Sequence, residues 1–165
     1  VLTRAGIAHA LIGATALAVH GVSRSTQDQD LLAVDPACLD PATWSDLSGR
    51  GVSVDVRRGD LTDPLLGVVR FAARGQRQVD LIVGKHTWQR PILARAEGGE
   101  GGRPPVVRIV DLILLKLFAG GPQDAWDIQQ ILARSDRAQL VTSVEQELDK
   151  LPKRSAALWA KILSL

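Results

Sequence analysis

Cysteine is almost absent: Cys38 is the only one in 165 residues. That excludes an internal disulfide framework and a metal centre built on thiolates, and it fits a reducing, cytoplasmic setting. Long apolar runs are missing too. No stretch has the length and hydropathy of a membrane-spanning helix, so no membrane partner is expected. The opening "AGIAHALIGATALAVHGV" after Arg4 looks a little like a signal peptide. His9 and His20 interrupt it, it has no Leu-rich centre, and it reads as part of the domain. Met is absent, at the first position as elsewhere; the expectation is a chain trimmed, or starting within a longer protein. GxSxG, HExxH and CxxC do not occur, which leaves serine hydrolase, zinc protease and dithiol redox chemistry without support. His9, His20 and His86 have no ligand spacing, and the first two are expected to pack or cap. The glycine-rich "GGEGGRPP" at 98–105 is neither a dinucleotide fingerprint nor a P-loop, and reads as a flexible linker.

What is present is an ordinary globular composition, 45% apolar and 23% charged. The length supports a core without staples and one domain with at most a small appended part. Net charge is only +2. Residues 50–108 are more lopsided, with eleven Lys and Arg against six acids. Such a bias suits a phosphate-bearing partner, or is a solvated basic face.

Pattern divides the chain into short elements. "IAHALIG" (7–13) reads as a buried strand and "ATALAVHG" (14–21) as a short helix closed by Gly21. "DQDLLAV" (28–34) is strand-like. Pro36 and Pro41 mark a turn, with a helix expected over 41–49. "VSVDVRR" (52–58) alternates with period two, so Val52, Val54 and Val56 share a face. "LGVVRFAA" (66–73) and "QVDLIVG" (78–84) form a hairpin through "RGQR". A helix interrupted by Pro91 is expected over 87–97, and a strand over "VVRIV" (106–110). A helix over 111–121 opens with Asp111 as N-cap, and one over 122–134 starts with Pro122 at its first position. Leu140, Val144, Leu148 and Leu151 keep helical spacing, as do Leu158, Ile162 and Leu165. Strands and helices thus mix up to about residue 110, and helices follow.

Four features carry chemistry. Asp28 and Asp30 lie at i and i+2, on one face of a strand, where two close carboxylates repel. They stay in solvent, or they hold a cation; all-oxygen ligands suit Mg²⁺ or Mn²⁺. Asp80 repeats the pattern, a polar entry to an apolar strand. It joins the first two if the strands are neighbours, or pairs with Arg74 or Arg77. Lys116 is the only polar side chain in "LILLKLF" and should be buried. Its partner is a phosphate, or Asp124 and Asp127 on the next helix. Gly13, followed by Ala14 and Thr15, makes a strand–glycine–helix turn that lets backbone N–H groups approach a phosphate. Arg24 and Thr26 are close enough in sequence to help, or are simply solvated.

Together these pieces resemble a known family. "LIGATALAVHGVSRSTQDQDLL", "VDLIVG" and "DLILLKLFAGGPQDAWDI" are similar to the motifs of the nucleotidyltransferase-fold superfamily, that of DNA polymerase beta. The form "HGxxRxTxDxDLL" resembles AbiEii-type toxins and related small bacterial nucleotidyltransferases. The resemblance implies a mixed α/β (α+β) fold, a nucleotidyltransferase-like sheet flanked by helices with a C-terminal helical part. It divides the chain into a core over 1–109 and a helical subdomain over 110–165 packed on it. It assigns Asp28, Asp30 and Asp80 to Mg²⁺ or Mn²⁺ and to catalysis. The Gly13–Ala14–Thr15 turn, Arg24, Thr26 and Lys116 go to the nucleotide, with Asp124 and Asp127 organising that site. The implied reaction moves NMP from an NTP, such as ATP, to a hydroxyl on RNA, tRNA or protein. A toxin–antitoxin role with a cognate antitoxin is implied as well. A small-molecule acceptor of the aminoglycoside type, and a nucleotide- or partner-binding module without turnover, stay open.

Overall fold

A computed structural model describes every residue except Val1, Arg4, Ser25 and Gln27, and the backbone but not the side chain of Ser48. Arg4 and two positions of the "GVSRSTQDQD" stretch, Ser25 and Gln27, therefore lie outside the described residues. Five strands, β1 (His9–Leu11), β2 (Gln29–Ala33), β3 (Ser53–Arg58), β4 (Leu65–Ala72) and β5 (Val79–Gly84), form one sheet in the order β1-β2-β5-β4-β3. Only β2 and β5 run parallel; the other neighbours are antiparallel. β2 and β5 are the central pair and read as nearly unbroken apolar runs, as strands covered on both faces do. Edge strand β3 alternates instead, and its exposed Asp55, Arg57 and Arg58 keep the free edge charged.

The pleat sorts side chains onto two faces. Leu31, Ala33, Val69, Leu81 and Val83 share one face and pack with Cys38, Leu39 and Trp44. That cover comes from two short 3₁₀ turns, Pro36–Leu39 and Pro41–Trp44, and α2 (Ser45–Ser48), where one helix over 41–49 is the sequence expectation. The repeated Asp-Pro explains the break. Asp35 Oδ1 accepts from Ala37 N and Asp40 Oδ1 from Ala42 N, so each aspartate caps its own turn. The Trp44 indole N–H donates to the Cys38 carbonyl at 2.8 Å, and its ring meets Phe71 edge-on.

Helices cover only part of the second face. α1 (Gly13–Val19) and α4 (Ile109–Ala119) pack over Ala10 and Leu32, and α5 (Pro122–Arg134), α6 (Arg137–Glu145) and α7 (Lys153–Leu163) extend the same core. A short α3 (Gln89–Ala94) completes the seven α-helices of the described residues. α4 ends at Gly120, whose φ of 72° gives the left-handed cap that its sequence position predicts. No described helix is long and apolar enough to cross a membrane.

Several expectations need correction. "VVRIV" is not a strand: Val106 makes single bridges to Leu11 and Glu97, and helix starts at Ile109. Pro104 and Pro105 precede it and carry no N–H for a ladder. Asp111 is not an N-cap; Arg108 is, and Asp111 lies within the first turn, buried against Arg95. Pro91 does not interrupt α3, because it falls in the first turn, where its missing N–H has no partner to lose. Leu148 leaves the helix that carries Leu140 and Val144, since α6 ends at Glu145 and a 3₁₀ turn takes over.

Candidate active site

The uncovered part of the second sheet face carries a row of charges. Cross-strand register sets Asp30 opposite Asp80, Asp80 opposite Arg70, and Arg70 opposite Asp55, across β2, β5, β4 and β3. Neighbouring strands lie about 4.8 Å apart, so each side chain reaches the next. Asp28 precedes the row at the entry to β2. Thr26 shapes that entry: its hydroxyl donates to the Asp28 carbonyl at 3.0 Å and accepts from the Asp28 N–H at 3.3 Å.

Gly13 closes the row at the β2 end. The Ile12 N–H donates to the Asp30 carbonyl at 2.9 Å, which ties the β1–α1 junction to β2. Gly13 has a φ of 63°, and a Cβ placed on it would lie 2.1 Å from Asp30 Oδ2. Glycine is therefore required twice, by the backbone and by the carboxylate lying against it. α1 has no side-chain cap, so its first N–H groups are left without a partner from the side chains. Ala14 is buried and offers only its backbone to this turn. The Thr15 hydroxyl and the Arg24 Nε are both buried without a hydrogen-bond partner.

Burial pushes the Asp30 carboxyl above its ordinary value, and the negative charges of Asp80 and Asp28 push it the same way. Arg24 and Lys116 oppose this more weakly. Lys116 thus lies within electrostatic reach of the row, yet its own bonds go elsewhere. Its Nζ donates to Asp127 Oδ2 at 2.6 Å and to Asp124 Oδ1 at 3.2 Å, in a site almost closed to solvent. Asp127 also accepts from Gln123 at 3.2 Å, and Asp124 from the Gly121 N–H at 3.1 Å. Both aspartates of α5 serve Lys116 rather than the sheet.

Asp80 has neither of the expected partners, Arg74 and Arg77. Arg70 holds it with a two-pronged grip, Nε to Oδ1 at 2.9 Å and Nη2 to Oδ2 at 2.8 Å, and Gln78 adds a bond to Oδ1 at 3.3 Å. Those hydrogen bonds raise the Arg70 guanidinium further, keeping it charged. Arg70 is the residue the sequence reading missed. Its signal is a lone charge in "LGVVRFAA", one arm of a hairpin whose other arm carries the lone Asp80. Among the described residues no three Asp, Glu, His or Cys side chains converge tightly enough to ligate one ion. Asp28 and Asp30 make no hydrogen bond to Arg70, although Asp28 lies within its electrostatic reach, and their oxygens with the repulsion on Asp30 fit a hard divalent cation.

Beside Arg70 and Asp80 the open face forms a groove of about 350 Å³. Its lining carries three acids, Asp55, Asp63 and Asp80, and three arginines, Arg57, Arg58 and Arg70. The arginines are already engaged: Arg57 with Asp55 at 2.9 Å, Arg58 with the Leu39 carbonyl at 2.7 Å, and Arg70 with Asp80.

No protein-family model matches the sequence, and no curated protein is detectably similar to it. Solved structures are similar in fold. The solution structure of the antibiotic-resistance factor ANT(2'')-Ia is 13% identical over 99% of this chain and 92% of that one, with a TM-score of 0.54. A crystal structure of ANT(2'')-Ia with adenylyl-2''-tobramycin is 13% identical, covers 99% and 91%, and has a TM-score of 0.41. Terminal uridylyl transferase 4 from Trypanosoma brucei with bound GTP is 11% identical over 84% of this chain, which spans 46% of that protein, with a TM-score of 0.40. The chain has a nucleotidyltransferase fold.

Proposed function

We propose that this chain is a divalent-cation-dependent nucleotidyltransferase, transferring NMP from an NTP to a hydroxyl and releasing pyrophosphate. The observation that carries the reading is the placing of Asp30 and Asp80 side by side on the open sheet face, with Asp28 at the strand entry and Gly13 against Asp30. Asp28 and Asp30 would hold Mg²⁺ or Mn²⁺, which when bound offsets triphosphate charge and acidifies the acceptor hydroxyl. The uncapped Gly13–Ala14–Thr15 turn, the unpartnered Thr15 hydroxyl and Arg24 Nε are donors for phosphate oxygens. Lys116, fixed by Asp124 and Asp127, adds a positive charge that does not have to be reoriented. The acceptor oxygen bonds to the α-phosphorus, the bond from phosphorus to the pyrophosphate oxygen breaks, and the hydroxyl proton leaves for a carboxylate. Asp80, bordering the groove, is placed to take that proton or to complete the cation's ligands. Thr26 keeps Asp28 in place through its two local hydrogen bonds.

The groove favours a small acceptor over a polynucleotide. Its volume of about 350 Å³ is at the small-molecule end of binding sites, and its arginines are engaged rather than free for a phosphate backbone. The likeness in fold to the antibiotic-resistance factor ANT(2'')-Ia agrees with that. RNA or tRNA is the competing acceptor, and a toxin–antitoxin role would show as co-purification with a cognate protein. Each α-labelled NTP is incubated with the protein and Mg²⁺, alone, with total RNA, and with an aminoglycoside. The proposal expects label on an acceptor, lost without Mg²⁺ and in Asp30→Asn. NTP binding with no transfer to any acceptor would leave only a binding module.

A further inference from the structure

We propose that Arg70 is a positioning residue that withholds Asp80 from the cation site, its guanidinium occupying the third carboxylate until a divalent ion displaces it. This rests on the reading of Asp28 and Asp30 as cation ligands. Three observations carry it. Arg70 takes both oxygens of Asp80 at 2.8–2.9 Å, the arrangement that leaves a carboxylate least free for a metal. Asp30 and Asp80 are directly opposed on adjacent strands, yet no three ligating groups converge among the described residues, and both Asp80 oxygens are taken by Arg70. The pair is also built to open. The Arg70 side chain is 44% exposed, and Asp55 stands opposite it on β3, held by Arg57 through one oxygen only, so a released guanidinium has solvent and a carboxylate to share within reach.

Manganese alone is titrated into nucleotide-free protein, with free Mn²⁺ read by electron paramagnetic resonance. Arg70→Gln frees Asp80 and is expected to tighten Mn²⁺ binding on the order of tenfold. Arg70→Lys keeps the charge but cannot grip both oxygens, and should tighten binding by less. In Arg70→Gln/Asp80→Asn the gain should vanish. Equal or weaker binding in Arg70→Gln, with circular dichroism matching wild type, overturns the proposal. If Arg70→Gln does not fold, absence of any tightening in Arg70→Lys overturns it instead. Wild-type binding that is lost in Asp28→Asn but unmoved by either Arg70 variant removes this proposal and leaves the cation site standing. No Mn²⁺ binding by wild type or any variant removes both.

Discussion

At the scale of single residues, the site is a set of groups that would be unfavourable in an ordinary fold. Gly13→Ala puts an L-residue at φ 63° and a methyl carbon 2.1 Å from Asp30 Oδ2. The backbone alone should cost about 1–2 kcal/mol, and Mg-NTP affinity should fall because Asp30 must move; chemical denaturation and calorimetry check the two effects. Asp30 predicts a pH dependence. Its raised carboxyl is penalised when ionised, so the penalty is absent at low pH and grows as pH rises from the free value of 3.8 through the raised one. Asp30→Asn should therefore stabilise the ligand-free protein at pH 7 and give no gain in acid, which thermal melts across pH would show. Cys38 behaves differently, since burial pushes its thiol up to about 11. Thiol reagents at pH 8 should label it only after unfolding. Asp28, Asp30, Asp80, Gly13 and Lys116 were legible in the sequence because each is a polar or turn residue against an apolar run. Arg70 was not, because its role depends on register. With a loop confined to 74–77, Phe71 would face Asp80. The observed loop is longer, β4 ends at Ala72, and Arg70 faces it instead. One residue of slip decides which side chain meets the acid.

At the scale of elements, α4 and α5 are joined by a buried ion pair. Lys116 and Asp127 are nearly closed to solvent; without Lys116 the Asp127 carboxylate would lose its cation, whereas without Asp127 the ammonium would keep only Asp124. Lys116→Ala should cost about 3–5 kcal/mol, and Asp127→Ala less, because Asp124 still holds Lys116. Lys116→Met combined with Asp127→Leu should cost less than Lys116→Ala, because the one acid left without its cation is the part-exposed Asp124; urea denaturation of the three variants tests this. Nucleotide affinity should still fall in the double variant, since the positive charge near Asp30 is gone. The helices of the C-terminal third were readable from apolar spacing and their glycine and proline punctuation, as at Gly120 and Pro122. "VVRIV" misled because its β-branched residues suit a strand, while Pro104 and Pro105 remove the donors and Arg108 caps a helix. Propensity gave way to the hydrogen-bond supply.

At the scale of the whole molecule, one sheet divides the work between its faces. The first is sealed by Trp44, Cys38 and Leu39, and helices cover β1 and β2 on the second. What stays open is the strip over β3, β4 and β5, with the groove beside Asp80 and, at its border, the half-buried Asp28 and Asp30 where β2 begins. The mixed sheet and helical end were legible from element order, whereas the open strip was not. Neither strand spacing nor composition says which part of a face the helices leave bare. The account therefore depends on that bare strip binding a cation and a triphosphate together. Isothermal titration of Mg-ATP into wild type, Asp28→Asn and Asp30→Asn tests it most directly. The account predicts saturable, Mg²⁺-dependent binding by the wild-type protein, weakened at least tenfold in both variants, or by about 1.4 kcal/mol. Equal affinity in all three would contradict it.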